Sequence, residues 1–125
     1  MTSGACNWRG RCHESAVDYL FRTNPAATVV QCCIWDGNAD RFLPHTWIEE
    51  KRKGRWWVTD RALGALTGRV LEMPRRDYDS ALMVRRKTCR RYDLKGVVRQ
   101  VFQLKKGYAP WEIDPLCRTG PGKTP

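Results

Sequence analysis

The sequence contains no long uninterrupted run of apolar residues. No stretch approaches the roughly 20 residues that a membrane-spanning helix needs, and residues 1–11 lack the apolar core of a signal peptide. We therefore expect no membrane span, and a cytoplasmic location or export without a classical signal peptide. Internal repeats and a domain linker are also missing, so we predict one domain over residues 1–117, with a flexible tail at 118–125.

Acidic residues are scarce in the second half of the chain. The 125 residues carry 23 Lys and Arg against 13 Asp and Glu, a formal charge of +10. Residues 1–60 hold eight basic and seven acidic side chains, whereas residues 61–125 hold 15 and six. Clustered positive charge attracts nucleic acid, acidic lipid or an acidic protein. The candidate partner-binding residues form the densest basic run: Arg85, Arg86, Lys87, Arg90 and Arg91.

This basic run lacks the signature of a helix-turn-helix, a zinc finger or an RNA-binding domain. Tyr92 follows it, and basic residues beside an aromatic side chain can bind nucleic acid through phosphate contacts and stacking. Without a signature we favour a solvated basic face over a nucleic-acid site. A docking surface for an acidic protein substrate fits the charge equally well.

The cysteines raise the question of disulfides or a metal site. Without an export signal we expect thiols rather than disulfides. The candidate zinc ligands are Cys6, Cys12, His13, Cys32, Cys33 and His45. Five residues separate Cys6 from Cys12, which is longer than the two-to-four-residue spacing typical of structural zinc sites. We therefore predict no metal and no organic cofactor, and we interpret Cys32 and Cys33 as core residues on opposite faces of a strand.

The hydrophobic pattern of the first half predicts one helix and three strands. Residues 12–22 have helical spacing, and residues 27–35 form an apolar, β-branched run typical of a buried strand. Two further strands over 45–51 and 55–59 are joined by a short turn at Lys53-Gly54. Because so short a link cannot form a parallel crossover, we expect an antiparallel hairpin.

The second half has a weaker pattern. Gly64 and Gly68 interrupt its first apolar stretch, and a short helix is predicted over residues 78–86. Asp93 is a predicted N-cap for a helix that runs to Leu104.

Cys12, His45 and Asp60 are the candidate catalytic residues. A thiol nucleophile needs a lowered pKa, a base within hydrogen-bonding reach and a group that orients the base. With Cys12 at the start of the helix, the macrodipole and unpaired N–H groups would stabilise a thiolate and an oxyanion. His45 and Asp60 fall at adjacent ends of the predicted hairpin, on one face.

The sequence around these residues resembles a known family. The matching segments are Gly10-Arg11-Cys12, Pro44-His45-Thr46-Trp47-Ile48-Glu49 and Gly54-Arg55-Trp56-Trp57-Val58-Thr59-Asp60. They are similar to the transglutaminase-like group of papain-like cysteine enzymes, in which a Cys-bearing helix precedes a His-x-Trp-x-Glu strand and a Trp-x-x-x-Asp strand. A weaker likeness, to arylamine N-acetyltransferases, lies in Arg9-Gly10-Arg11-Cys12-His13-Glu14.

This resemblance covers residues 7–62 and leaves the basic second half, 63–117, without a counterpart. It implies an α+β fold with a papain-like core, in which the nucleophile-bearing helix at the N-terminus packs on an antiparallel sheet, and it implies cysteine-dependent acyl or amide chemistry. The family's second oxyanion donor precedes the cysteine, but no Gln stands there. We therefore assign Asn7 or Trp8 to that role, and His13 and Trp47 to the pocket lining.

The sequence thus predicts a cysteine hydrolase, either a peptidase or a protein glutamine deamidase, with a Cys-His-Asp triad. Its substrate would be a protein or peptide, with an acidic surface suited to the basic half. Acyl transfer to an amine on the same triad is one alternative. A non-enzymatic basic module that binds nucleic acid or an acidic protein is the other.

Overall fold

The computed structural model describes residues 4–36, 41–61 and 71–105, with side chains described from Cys12 onward in the first of these ranges. The elements are α1 (Gly4–Arg22), β1 (Thr28–Asp36), β2 (Arg41–Arg52), β3 (Arg55–Asp60), β4 (Leu71–Pro74), α2 (Arg75–Ala81), a 3₁₀ turn (Arg86–Thr88), β5 (Arg90–Tyr92), α3 (Leu94–Val98) and a π-helical turn (Arg99–Gln103). The architecture is α+β.

The five strands form one antiparallel sheet in the order β4-β3-β2-β1-β5. The predicted hairpin between β2 and β3 is confirmed, and its turn residues Lys53 and Gly54 have φ values of 51° and 79°. Gly54 suits this left-handed backbone because it has no Cβ to clash. In the register of β1 with β2, Cys32 lies opposite His45.

Each face of the sheet carries its own apolar layer. On one face, α1 packs Val17 and Leu20 against Val29 and Ile48, joined by Val97 of α3. The other face buries a second cluster, Val30, Cys32, Ile34, Trp47 and Val58, under Tyr78 of α2. Burying one such aliphatic or aromatic side chain contributes about 1.5–3 kcal/mol. The site described below lies where residues from both layers meet.

The start of α1 differs from the prediction. The helix begins at Gly4, eight residues before the predicted start, so Cys12 lies in its middle. Placing Cys12 at the helix N-terminus is therefore wrong, and the macrodipole, whose effect is confined to the first turn, does not act on it. The preceding segment has two glycines and no apolar stripe, and it is helical despite its low local propensity.

The second strand also starts earlier than predicted, at Arg41 instead of His45. Pro44 lies within this strand although proline cannot donate a ladder hydrogen bond. It is accommodated opposite Cys33 of β1, in a part of β2 that precedes the first described pair with β3, Ile48 with Thr59.

The second half supplies both edge strands of the sheet. Neither β4, paired with β3, nor β5, paired with β1, is predicted from the sequence. The predicted N-cap is confirmed, since Asp93 Oδ1 accepts a hydrogen bond from the Gly96 N–H at 2.9 Å. Helix α2 starts at Arg75 rather than at residue 78. The predicted tail and residues 62–70 lie outside the described part of the chain.

The expectation of six thiols is wrong for Cys33. That residue is disulfide-bonded. Cys12, Cys32 and Cys89 are reduced thiols. Among the described residues, no helix has the length and apolar character needed to cross a membrane.

Candidate active site

The β2–β3 hairpin brings His45 and Asp60 together. His45 Nε2 lies 2.7 Å from Asp60 Oδ2, and both side chains are fully buried. Tyr78 of α2 donates a second hydrogen bond to the same oxygen at 2.6 Å. Asp60 is thereby held by two donors and fixes the orientation of the imidazole. With Nε2 facing Asp60, Nδ1 is the ring nitrogen suited to a thiol partner.

Helix α1 places the thiol of Cys12 beside two imidazoles. Burial alone would raise the pKa of Cys12, but hydrogen bonds with His13 and His45, together with their charge, lower it from 9.0 to about 6. Two imidazoles therefore replace the helix terminus that the sequence analysis had invoked. At neutral pH the thiol is deprotonated, which is the nucleophilic form.

His45 is held in its protonated form. Burial favours the neutral ring, but the charge and hydrogen bond of Asp60, and then those of the Cys12 thiolate, raise the pKa of His45 from 6.5 to about 10. Between about pH 6 and about pH 10, Cys12 and His45 thus form a thiolate–imidazolium pair. Such a pair carries both a nucleophile and the proton that a leaving group needs.

His13, which the sequence analysis assigned to the pocket lining, lies beside the thiol. It is buried, it lowers the pKa of Cys12 through a hydrogen bond, and its Nδ1 contacts the Thr46 hydroxyl across the interface between α1 and β2.

The Trp47 side chain lies between the triad and the buried carboxylate of Glu49. Its ring centroid lies 5.9 Å from that of His45 and 5.0 Å from that of Tyr78. Its Nε1 donates a hydrogen bond to Glu49 Oε2 at 3.0 Å. Tyr78 was missed by sequence reasoning, since no motif links residue 78 to the triad, and only the packing of α2 on the sheet brings it there.

Glu49 is fully buried and binds three arginines from the second half of the chain. Arg86 lies 2.6 Å from one carboxylate oxygen, whereas Arg75, at 3.4 Å, and Arg91 contact the other. Burial would raise the pKa of Glu49, but hydrogen bonds from Trp47 and Arg86, and the arginine charges, lower it below 4.5. The carboxylate is therefore ionised at neutral pH.

The predicted partner-binding residues do not form one free basic surface. Arg86 and Arg91 are paired with Glu49, and Arg86 also binds Asp79. Arg85 stacks on Phe42, 5.2 Å from the ring centroid. The remaining two members of the set differ in exposure: Lys87 is exposed and Arg90 is half-buried in β5.

The space beside Cys12 is small. Cys12 is 1% exposed, and the adjoining cavity, lined by Thr46, Trp47 and Thr59 among others, has room for about one water molecule. The side chains of Asn7 and Trp8, the predicted oxyanion donors, lie outside the described residues. Since Cys12 lies within α1, its own N–H belongs to the helical hydrogen-bond pattern.

Within the described side chains, no group of three or more His, Cys, Asp or Glu residues is arranged to hold a metal ion. Comparison of the chain with protein-family models, with curated proteins and with solved structures finds no match. The arrangement of Cys12, His45 and Asp60 therefore carries the functional argument by itself.

Proposed function

We propose that this chain is a cysteine-dependent enzyme that cleaves an amide or ester bond through a thioacyl intermediate. The observation that supports the proposal is the buried hydrogen bond between His45 and Asp60, together with the lowering of the Cys12 pKa by the neighbouring His45. A thiol nucleophile, an acid–base group and an orienting group are the three parts of a thiol enzyme, and Cys12, His45 and Asp60 supply them in that order.

The proposed reaction starts with attack of the Cys12 thiolate on the substrate carbonyl carbon. A C–S bond forms, the C–N bond of the amide breaks, and the leaving amine takes the proton carried by His45. Water then attacks the thioacyl carbon while His45 takes its proton, and the thiolate is released. Asp60 keeps the imidazole oriented and stabilises its charge through both steps.

The oxyanion that develops on the carbonyl oxygen requires donors other than the Cys12 backbone. The side chains of Asn7 and Trp8 remain our candidates, and the structure adds His13, which contacts the sulfur. Any such donor would stabilise the charge that develops in the transition state. The papain-like arrangement, a cysteine-bearing helix on an antiparallel sheet, fits the observed packing of α1.

The proposed substrate is a protein or peptide, cleaved by peptidase or glutamine deamidase chemistry. Because the cavity beside Cys12 holds about one water molecule, access of a carbonyl group requires a displacement of the residues around it. The reaction needs Cys12 as a reduced thiol, which is its state in the structure. The disulfide of Cys33 is typical of an oxidising compartment, so of the two locations expected from the sequence it favours export without a classical signal peptide over the cytoplasm.

An acylation experiment tests this function. The full chain is incubated with an activated ester such as p-nitrophenyl acetate, quenched in acid, and mapped for an acyl group on Cys12. We expect acylation of Cys12 that decays in water, and no such adduct in Cys12→Ser. Cys89→Ser, kept in reducing buffer, is the matched control and should acylate normally.

The decay of the acyl group separates the alternatives. Faster decay with added amine, yielding the amide, would assign the transferase reaction rather than hydrolysis. Acylation of the wild type no greater than that of Cys12→Ser would contradict a thiol enzyme. Retention of such an inactive chain on mixed DNA and RNA at low salt, lost as salt is raised, would instead support a basic binding module.

A further inference from the structure

A second pair of thiols lies on the same face of the sheet as His45, outside the triad. Cys32 of β1 has its Sγ 3.4 Å from the backbone carbonyl oxygen of Arg85 and 3.1 Å from the Thr88 hydroxyl. Cys89, which follows the 3₁₀ turn, has its Sγ 3.8 Å from the same carbonyl oxygen. Two sulfurs that share one oxygen lie side by side, and the two thiols also hydrogen-bond each other.

We propose that Cys32 and Cys89 form a reactive dithiol that closes an intramolecular disulfide when the chain meets a small-molecule disulfide. Both residues are free thiols in the structure. This site is independent of the proposed function, because neither sulfur belongs to the Cys12–His45–Asp60 series. It revises the sequence interpretation of Cys32 as a core residue only.

The surroundings of the two sulfurs favour this chemistry. The hydrogen bond from Cys89 lowers the pKa of Cys32 from 9.0 to about 7; burial opposes the shift, and the Thr88 hydroxyl and the Arg86 charge support it. The same hydrogen bond, followed by burial, raises the pKa of Cys89, so Cys89 holds the shared proton. One sulfur is thus thiolate-like and its neighbour is the donor, which is how a dithiol is primed for exchange.

A small-molecule disulfide can reach the two sulfurs from the side of Cys89. Cys32 is 5% exposed, whereas Cys89, which packs at the margin of the same buried cluster just after the 3₁₀ turn, is half-buried. A small disulfide therefore meets Cys89 first, while Cys32 is positioned behind it as the resolving sulfur.

The exchange balances in two steps. The Cys89 sulfur, after passing its proton to Cys32, attacks one sulfur of the external disulfide, and the expelled thiolate takes that proton back from Cys32 and leaves as a thiol. The Cys32 thiolate then attacks the Cys89 sulfur of the mixed disulfide, and the second external sulfur leaves as a thiolate that takes a proton from solvent. The chain loses two hydrogen atoms, and the external disulfide is reduced to two thiols.

The test uses the full chain, equilibrated in buffers of oxidised and reduced glutathione, acid-quenched and mapped by mass spectrometry without reduction. We expect a Cys32–Cys89 cross-linked peptide and an intact mass lower by two hydrogen atoms than that of the starting chain. The Cys12→Ser variant should form the same cross-link. In Cys89→Ser the cross-link should be lost.

A second measurement does not depend on how the variant folds. Phenylarsine oxide, which binds two neighbouring thiols at once, should add to the wild-type chain in a form that protects both Cys32 and Cys89 from later alkylation. Stable glutathione adducts on these residues without a cross-link would overturn the proposal. So would a cross-link from Cys32 to Cys12, or arsenical binding that leaves Cys89 open to alkylation.

Discussion

The pH dependence of Cys12 alkylation measures the thiolate–imidazolium pair directly. Only the thiolate reacts, so the rate follows the thiolate fraction, and a ratio of rates at two pH values cancels the effect of burial on access. With the pKa of Cys12 at about 6, the thiolate is already the main species at neutral pH. An unperturbed thiol is still almost fully protonated there.

The size of the effect follows from these pKa values. Between about pH 5 and about pH 7.5, the thiolate fraction of a group with a pKa of about 6 rises about tenfold. For a thiol at the ordinary value of 9.0, the same step raises it about 300-fold. The profile of Cys12 should therefore be about 30 times flatter than that of an ordinary cysteine.

Iodoacetamide labelling with peptide mapping gives the assay. Cys89, whose pKa is raised, serves as an internal control and should show the steep profile in the same sample. In His45→Gln the amide can still donate to Asp60, but the positive charge is gone, so the Cys12 profile should become steeper. His13→Gln should steepen it as well, and the double variant should approach the ordinary thiol.

Two outcomes would refute this reasoning. A steep, about 300-fold rise for Cys12 in the wild-type chain would show that its thiol is protonated at neutral pH. An identical profile in the wild type and in His45→Gln would show that His45 does not stabilise the thiolate. Either result would remove the nucleophile from the proposed mechanism.

Three further changes test the surroundings of the triad and the dithiol. Tyr78→Phe removes one of the two donors to the buried Asp60 carboxylate, and should lower the free energy of unfolding in urea by about 2 kcal/mol; a loss below about 0.5 kcal/mol would contradict that bond. Glu49→Gln should lower the free energy of unfolding by about 3 kcal/mol. This is the low end of the range for breaking a buried ion pair, because the three arginines that bind Glu49 are 31–37% exposed. Since the pKa of Glu49 is lowered from 4.5, its contribution is present above that pH and is lost on acidification, so the variant should lose less stability than the wild type below about pH 4. Closing the long loop between Cys32 and Cys89 by oxidation should raise the free energy of unfolding by about 4 kcal/mol, and the gain should vanish in Cys89→Ser.

Local sequence patterns were sufficient for the hairpin and for part of the site. The apolar run of β1, the turn at Lys53-Gly54 and the Asp93 cap all depend on neighbouring residues, and the structure contains each of them. The contact of His45 with Asp60 follows from the hairpin alone, because its two ends are adjacent. Features of this kind follow from the local sequence, because side chains alternate between the two faces of a strand and repeat every 3.6 residues along a helix.

The features that the sequence did not predict depend on contacts between residues that are far apart in the chain. Strands β4 and β5 are only four and three residues long, and β5 is rich in arginine, so their pairing is fixed by the neighbouring strands rather than by their own composition. Likewise, Tyr78 joins the triad, and Cys89 reaches Cys32, only through tertiary packing. The early start of α1 has no local signal in the sequence, since its first residues have weak helix propensity.

The contacts of Glu49 connect the two halves of the chain. Its three arginines come from α2, from the 3₁₀ turn and from β5, so one carboxylate in the motif-bearing half ties down three separate segments of the other half. A fragment ending near residue 62 would keep Cys12, His45 and Asp60, yet it would lose the counter-charges of this carboxylate and the Tyr78 side chain that packs on this face of the sheet. The segment that carries the recognisable sequence therefore depends on the basic half for the contacts around its site.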